Sequence, residues 1–533
     1  MQNEMLYLKP NVQVEPLMDQ WYCWAHLIPP ATAARNITDR HMKIMDSYIS
    51  APQIHANAVK NPKMLGGPFI DYGGKRVDEI KALREQTKEK RATLLALSAA
   101  IQELDTNLRN NAKGFSLQPL YSTAVPGMLK GYVELVYDLN SNPSFRLIEP
   151  LMYRSEFYDR SAQSLMLSLT RGDDRPFVLS TPRLETEGFL HARIPFDSEI
   201  IDNLFELETR PQPWNVLRSM FDFIDQKDEA LLRSFFTTDA PAPYQHYTGT
   251  GARWRYFGHA CILVEAAGMN LLFDPVISYT YENELPRYTY NDLPDQIDYV
   301  LITHNHQDHI LFETLLQIRH KVKHIIVPKS GAGALQDPSI KLTLENAGFK
   351  NVLEMDEFGE IQTESGSITG LPFFGEHADL NIPSKLAYLV KVGRHKLLFA
   401  ADSCNIEPRL YEHVYNVVGP VDALFLGMEC DGAPLSWLYG PLLTRKIERG
   451  MDESRRLAGS NYEQAIDIVT RFQCKESYVY AMGQEPWLNH VMSLKYTPES
   501  RPITESNRLL DACKQRNICA ERLYGEKEIL LDA

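Results

Sequence analysis

The stretch "ITHNHQDHI", residues 302–310, decides how this chain is read. His304, His306, Asp308 and His309 form the pattern H-x-H-x-D-H, three imidazoles and a carboxylate within six positions. The residues just before it, "IDYVL" (297–301), read as a buried strand that runs straight into this loop. Alternate residues of an extended segment point the same way, so His304 and His306 can grip one ion. The chain then turns toward a helix, which lets Asp308 and His309 face a second ion. Imidazole and carboxylate suit zinc, iron or manganese. A loop that binds nothing has no reason to concentrate such groups.

The bulk numbers fit two domains, or one domain with a large extension. A chain of 533 residues exceeds one ordinary core, and 44% hydrophobic with 23% charged residues describes a globular protein. Asp and Glu outnumber Lys and Arg by 69 to 55, a net charge of −14. That field argues against binding nucleic acid or an anionic membrane. No apolar run approaches a membrane span, and "MQNEMLYLKPNVQVEP" lacks the layout of a signal peptide. The seven cysteines are scattered without a C-x-x-C, as in reduced, cytoplasmic proteins.

The Pro-, Gly- and Thr-rich segment "TTDAPAPYQHYTGTG" (237–251) separates two differently patterned halves. Residues 1–240 are expected to form an α+β domain. In it, Ile80, Leu83, Thr87, Lys90, Leu94, Leu97, Ile101, Leu104 and Leu108 follow three- and four-residue steps, which predicts one long helix from Lys75 to about Leu108. Its stripe either packs on its own domain or makes a dimer contact. "GYVELVYDL" and "FVLSTPRL" read as strands. Removing residues 1–240 is expected to leave the metal ligands intact and to change the assembly state.

Residues 241–533 alternate strands and helices and are expected to be the catalytic α/β domain. "ACILVEAAGMNLLFDP" reads as a hairpin about Gly268, with further strands at "HIIVP", "LAYLVKV", "KLLFAADS", "DALFLGM" and "SYVYAMG" and a helix at "NYEQAIDIVTRF". Asp274, the histidine loop and Asp402 all fall at strand ends, where layered α/β proteins gather their sites. "LPFFGEHADLNIPSKL" (371–386) places Glu376 and His377 side by side. Neighbours in extended chain diverge, so one of the two binds metal. His377 would complete a zinc hydrolase site with an activated water. Glu376 would add charge and a hard, mobile oxygen ligand suited to a pair of irons that activate oxygen. "TGTGARW" and "SGAGAL" lack the spacing of a phosphate loop, and no G-x-S-x-G is present.

H-x-H-x-D-H after "YVLIT", with "FGHACILV" and "LLFDP" upstream and "FAADS" downstream, resembles the metallo-β-lactamase superfamily over about residues 250–533. The resemblance implies an αββα sandwich with a two-metal site along one edge. Asp402 then matches the bridging aspartate, and Asp274 and His259 read as groups that orient ligands. The stretches "FGEHADLNIPSKLAYLV", "GMECDGAPLSWLYGPL", "YAMGQEPWLNHVMSLKYTPESRPI" and "AERLYGEKEILL", with the opening "VEPLMDQWYCWAHLIPP", resemble the diiron β-hydroxylases of nonribosomal peptide biosynthesis, the type found in chloramphenicol biosynthesis.

That second resemblance puts Glu376 in the third ligand position. It implies two iron ions, O2 as co-substrate, an external electron donor and β-hydroxylation of an aminoacyl thioester on a peptidyl carrier protein. It also implies that the N-terminal domain helps form a homodimer. Two-metal members of the fold take a last histidine near the strand "SYVYAMG". The next histidine here is His490, which is assigned that place, with Glu485 or solvent as alternatives. Arg445, Lys446, Arg449, Arg455 and Arg456 in "LLTRKIERGMDESRRL" either dock an acidic carrier protein or form a solvated helix face. A dinuclear zinc hydrolase of the same fold is the alternative reading; a metal-stabilised scaffold ranks last.

Overall fold

A computed structural model describes residues 4–533. The period-two runs of the second half build two seven-stranded sheets. The first runs, edge to edge, Val352–Met355, Val322–Pro328, Ile297–Leu301, Met269–Phe273, Cys261–Ala266, Ala252–Gly258, Lys527–Leu531. The second runs Glu360–Thr363, Gly366–Leu371, Ala387–Val392, His395–Phe399, Ala423–Gly427, Glu476–Tyr480, Cys519–Arg522. The hairpin about Gly268 and every strand expected in this half are present.

The inner faces of the sheets meet in an aromatic layer. Phe273 stacks on Phe399 with centroids 3.9 Å apart, Phe399 on Phe425 at 4.7 Å, and Trp254 meets Phe425 edge-on at 5.1 Å. Helices Phe312–Ile318 and Ile340–Asn346 cover the outside of the first sheet. Helices Arg409–Val418, Tyr462–Arg471 and Arg501–Gln515 cover the second. The result is the expected αββα sandwich.

In the first half, Trp21–Tyr22, Val12–Met18, Gln163–Leu169 and Leu190–Ala192 form a four-stranded sheet. Val14, Leu165 and Leu167 of this sheet share one core with Leu315, Val300 and Ile325 of the sandwich. Residues 238–251 carry no helix or strand, but the core crosses over beside them. Removal of residues 1–240 would therefore expose apolar surface of the catalytic half.

Two expectations about this half need correction. The long helix is two helices, Val77–Lys90 and Ala92–Asn111, broken at Arg91 with φ −112° and ψ 23°. Buried Arg91 turns its guanidinium onto Asp19, with Nη2–Oδ1 at 2.8 Å, and onto Asp159. The apolar stripe is covered inside the chain. Ile80 and Leu83 pack with Trp21 and Tyr48, while Leu94, Leu97, Ile101, Leu104 and Leu108 pack with Val125, Leu129 and Phe157. It offers no dimer seam. "FVLSTPRL" forms no strand but a buried loop, because Arg183 folds back onto Glu15 and its own N–H donates to Gln20 O.

Among the described residues all seven cysteines are free, and no helix is long and apolar enough to cross a membrane.

Candidate metal centre

The strand Ile297–Leu301 delivers His304, His306, Asp308 and His309 to one edge of the sandwich. Residues from other strand ends turn in to meet them, and several do so through left-handed backbone: His259 (φ 50°), Asp274 (φ 34°), Glu376 (φ 68°) and Ala401 (φ 45°), which precedes Asp402. Such conformations cost about 1–3 kcal/mol each and persist where a fold over-determines them. Here they end each strand abruptly and aim its last polar side chain at one point.

Three groups of ligand atoms result: His304, His306 and Glu376; His304, His309 and Asp402; and His259, Asp308 and His309. Asp402 Oδ2 lies 3.0 Å from His309 Nε2 and 3.9 Å from His304 Nε2, between the two ends of the cluster. It joins the group formed with His304 and His309. Gly427 makes this possible, since a Cβ there would come within 2.2 Å of Asp402 Oδ1.

The hydrogen bonds around the rings decide which nitrogens are free. Thr303 Oγ1 donates to Asp274 Oδ2 at 2.7 Å, so it accepts from His304 Nδ1 at 3.0 Å. His309 Nδ1 donates to the same Asp274 Oδ2 at 2.9 Å. Both histidines thus turn Nε2 to the cluster, held by one aspartate behind them. His306 is turned the other way: Nε2 meets Tyr439 Oη at 2.9 Å and Nδ1 lies 2.7 Å from Glu376 Oε2. His259 Nδ1 accepts the Gly483 N–H at 3.1 Å, so its proton sits on Nε2, 3.0 Å from Asp308 Oδ2. With its Nδ1 lone pair taken by the Gly483 N–H and its Nε2 proton directed at Asp308, the His259 ring orients Asp308, and Asp274 orients His309.

These residues fit a pair of cations. His304 Nε2 is buried without a hydrogen-bond partner, 3.6 Å from Glu376 Oε2, a costly arrangement that an ion between them resolves. Burial, then His309 and His306, keep His304 well below the usual histidine pKa, so it is a neutral donor. Burial works against charge on His309, yet Asp402, Asp308 and Asp274 outweigh it and raise its pKa well above the ordinary value. That is a field built for positive charge.

Comparison with known proteins identifies the family. Residues 7–241 match the diiron non-heme β-hydroxylase N-terminal domain, and residues 269–434 the β-lactamase superfamily domain. The chain is 40% identical over 537 aligned residues to the 4-amino-L-phenylalanyl-[CmlP-peptidyl-carrier-protein] 3-hydroxylase of Streptomyces venezuelae, covering 98% of this chain and 99% of the relative. The crystal structure of CmlA, a diiron β-hydroxylase from Streptomyces venezuelae, superposes with a TM-score of 0.93 at 39% identity, covering 99% of this chain and 100% of that one. This chain belongs to the diiron non-heme β-hydroxylase family. A UPF0173 protein of Pyrococcus abyssi is 30% identical over only 28% of this chain.

As a diiron β-hydroxylase, the protein is an oxygenase that uses two iron ions and O2, not the zinc hydrolase of the alternative reading. The geometry agrees with an oxygen-rich ligand set. Glu376 joins His304 and His306, whereas His377 joins none of the three groups. The His377 ring stacks on His306 instead, with centroids 4.5 Å apart.

His490 is a correction. It is buried away from the cluster, with Nε2 3.9 Å from Glu313 and its ring edge-on to Tyr22 at 6.0 Å. The chain turns after Ala481 to carry it past the centre. Glu485 is also engaged elsewhere, accepting from Tyr256 Oη. The residue missed from the sequence is Glu429, in the quoted stretch "GMECDGAPL". It lines a cavity of about 400 Å³ together with His306, Asp308, Glu376 and Asp402. Burial, with Asp402 and Asp431 adding to it, pushes its carboxyl up to about 7. Its signal was only a lone acid two residues past the strand Ala423–Gly427.

Proposed function

We propose that this diiron enzyme β-hydroxylates an aminoacyl group held as a thioester on a nonribosomal peptide synthetase carrier protein, with electrons from an external donor. The observation that carries the reading is the full-length likeness to a relative that is named for that carrier-bound substrate. The cavity at the centre supports it. Its lining beyond the ligands is largely apolar, with Trp437, Leu438, Leu457 and Met492, and suits a side chain rather than a charged polymer. It adjoins a second cavity of about 730 Å³, the two sharing Leu65, Gly66, Ser493, Leu494 and Tyr496. Two adjoining cavities suit a substrate presented on a flexible arm.

In this reading His304, His306 and Glu376 would hold one iron and Asp308 and His309 the other, with Asp402 beside both. Glu429 faces the same cavity beside Asp402 but joins none of the three groups of ligand atoms; its carboxyl accepts from the Gly432 N–H and Tyr496 Oη, which leaves it a neighbour of the second iron's place. Glu376, Asp308 and Asp402 would supply three negative charges against the two ferrous ions. Bound there, the irons supply reductive activation of O2, one oxygen atom entering the substrate and the other leaving as water. Asp274 and Thr303 keep Nε2 of His304 and His309 turned inward, and His259 fixes Asp308. The apolar wall excludes water from the reacting C–H bond. Cytoplasmic action is part of the same proposal, in keeping with the free thiols. A homodimer would have to use a face other than the covered Ile80–Leu108 stripe.

The test is anaerobic reconstitution with ferrous iron, followed by single turnover with loaded carrier protein and with the free amino acid. The expected outcome is two irons per chain, O2-dependent hydroxylation of the carrier-bound group, and none of the free amino acid. Equal turnover of both substrates would remove the carrier from the reading.

A further inference from the structure

Tyr439, which meets His306 Nε2 at 2.9 Å, comes from the short helix Leu435–Tyr439. That helix is not held by the sandwich alone. Arg40 Nη2 donates to Trp437 O at 3.0 Å and to Leu438 O at 2.9 Å. Arg35 donates through Nε to Pro441 O at 3.0 Å and through Nη2 to Leu443 O at 3.2 Å. Gln102 Nε2 donates to Thr444 O at 2.6 Å, and Trp437 Nε1 donates to Gly66 O at 2.9 Å. All of these partners lie in the first 240 residues.

The carbonyls at the end of a helix have no partners of their own. Here a residue about 400 positions away in sequence supplies them. Arg40 is buried and forms no ion pair among the described residues. Burying a guanidinium without a carboxylate is expensive, so its placement on these two carbonyls demands a compensating use.

We propose that the N-terminal half is a working part of the metal centre: Arg35, Arg40 and Gln102 fix the 435–444 segment, and Tyr439 of that segment fixes the ring of His306. An imidazole that gives its Nε2 proton to Tyr439 can offer only Nδ1 to the ion, which is the nitrogen that faces Glu376. Tyr439, Arg35 and Arg40 are positioning residues, since Tyr439 acts through the His306 ring and the two arginines act through the backbone of the 435–444 segment. This rests on the reading that His304, His306 and Glu376 hold a metal, but not on the reaction the metal performs.

The experiment is chelator competition against the full-length protein loaded anaerobically with ferrous iron, repeated with zinc. Tyr439→Phe should weaken one of the two bound ions about 10- to 100-fold and leave the other unchanged, with the ligand-field spectrum of only one ferrous ion altered. Arg40→Lys should weaken the same ion although it lies in the other half of the chain. If Arg40→Lys does not fold, Gln102→Ala, at a partly buried helix position, decides the remote arm in the same way. Unchanged binding in Tyr439→Phe, or equal weakening of both ions, would overturn the role of Tyr439. A folded Arg40→Lys, or Gln102→Ala in its place, that binds both ions like the parent would overturn the role of the N-terminal half. Metal retention is read without substrate or O2, so failure of the hydroxylation assay leaves this result standing.

Discussion

Glu376 and His377 show how much one residue's direction decides. His377 Nδ1 lies 3.0 Å from Glu376 Oε2, so both are near the centre. Yet burial, with His306 beside it, pushes His377 down to about 4, and its ring is spent stacking on His306. Glu376, at φ 68°, turns its carboxylate across His304 and His306. Glu376→Ala should therefore lose one iron per chain and O2 activation, while His377→Ala should keep most of its iron. Iron analysis after desalting checks this. Iron loss confined to His377→Ala would exchange the two roles.

At the scale of elements, the sandwich and the N-terminal half are joined by buried polar contacts as well as by core. The helix Glu149–Met152 sends the Glu149 carboxylate to the Ser339 N–H at 3.0 Å, at the start of helix Ile340–Asn346. Burial, opposed by that hydrogen bond and assisted by Asp337, raises the Glu149 pKa from 4.5 to about 7. A carboxyl whose pKa is raised by folding favours the fold when protonated. Its contribution is complete below the unfolded value of 4.5 and is lost as pH rises through about 7. Glu149→Gln keeps an acceptor for Ser339 without the charge. It should stabilise the protein by roughly 1–3 kcal/mol at pH 8 and by little at pH 4.5. Denaturant unfolding across that range is the measurement, and parallel curves for the two proteins would refute the assignment.

For the whole molecule, a charge of −14 repels an acidic carrier protein at long range, so docking needs a local basic patch. The structure narrows the candidates. Arg455 donates to Ala378 O at 2.9 Å and Arg456 to Asp431 O at 2.9 Å, so both brace the walls of the centre. Arg449 pairs with exposed Glu453. Arg445 and Lys446 are exposed and have no acid partner among the described residues. Arg445→Glu with Lys446→Glu should raise the KM for loaded carrier protein several-fold, most at low salt, with kcat and iron content unchanged. An unaltered KM across ionic strengths would place docking elsewhere.

The sequence by itself determined the strands named in residues 241–533, the hairpin about Gly268 and four of the candidate ligands. His304, His306, Asp308 and His309 are neighbours in the chain, and a strand running into a turn fixes their directions locally. Resemblance to the metallo-β-lactamase superfamily over residues 250–533 supplied Asp402, and the full-length resemblance chose Glu376 over His377. Only the tertiary structure decided the rest, because the deciding contacts join residues far apart. Arg91 breaks the long helix to reach Asp19, a partner 72 residues away. Tyr439 reaches His306 across 133 residues. His490 shares the expected strand end yet is carried past the centre to Glu313. Helical and strand periodicity report which face of an element is buried, but not which distant polar group that face will meet.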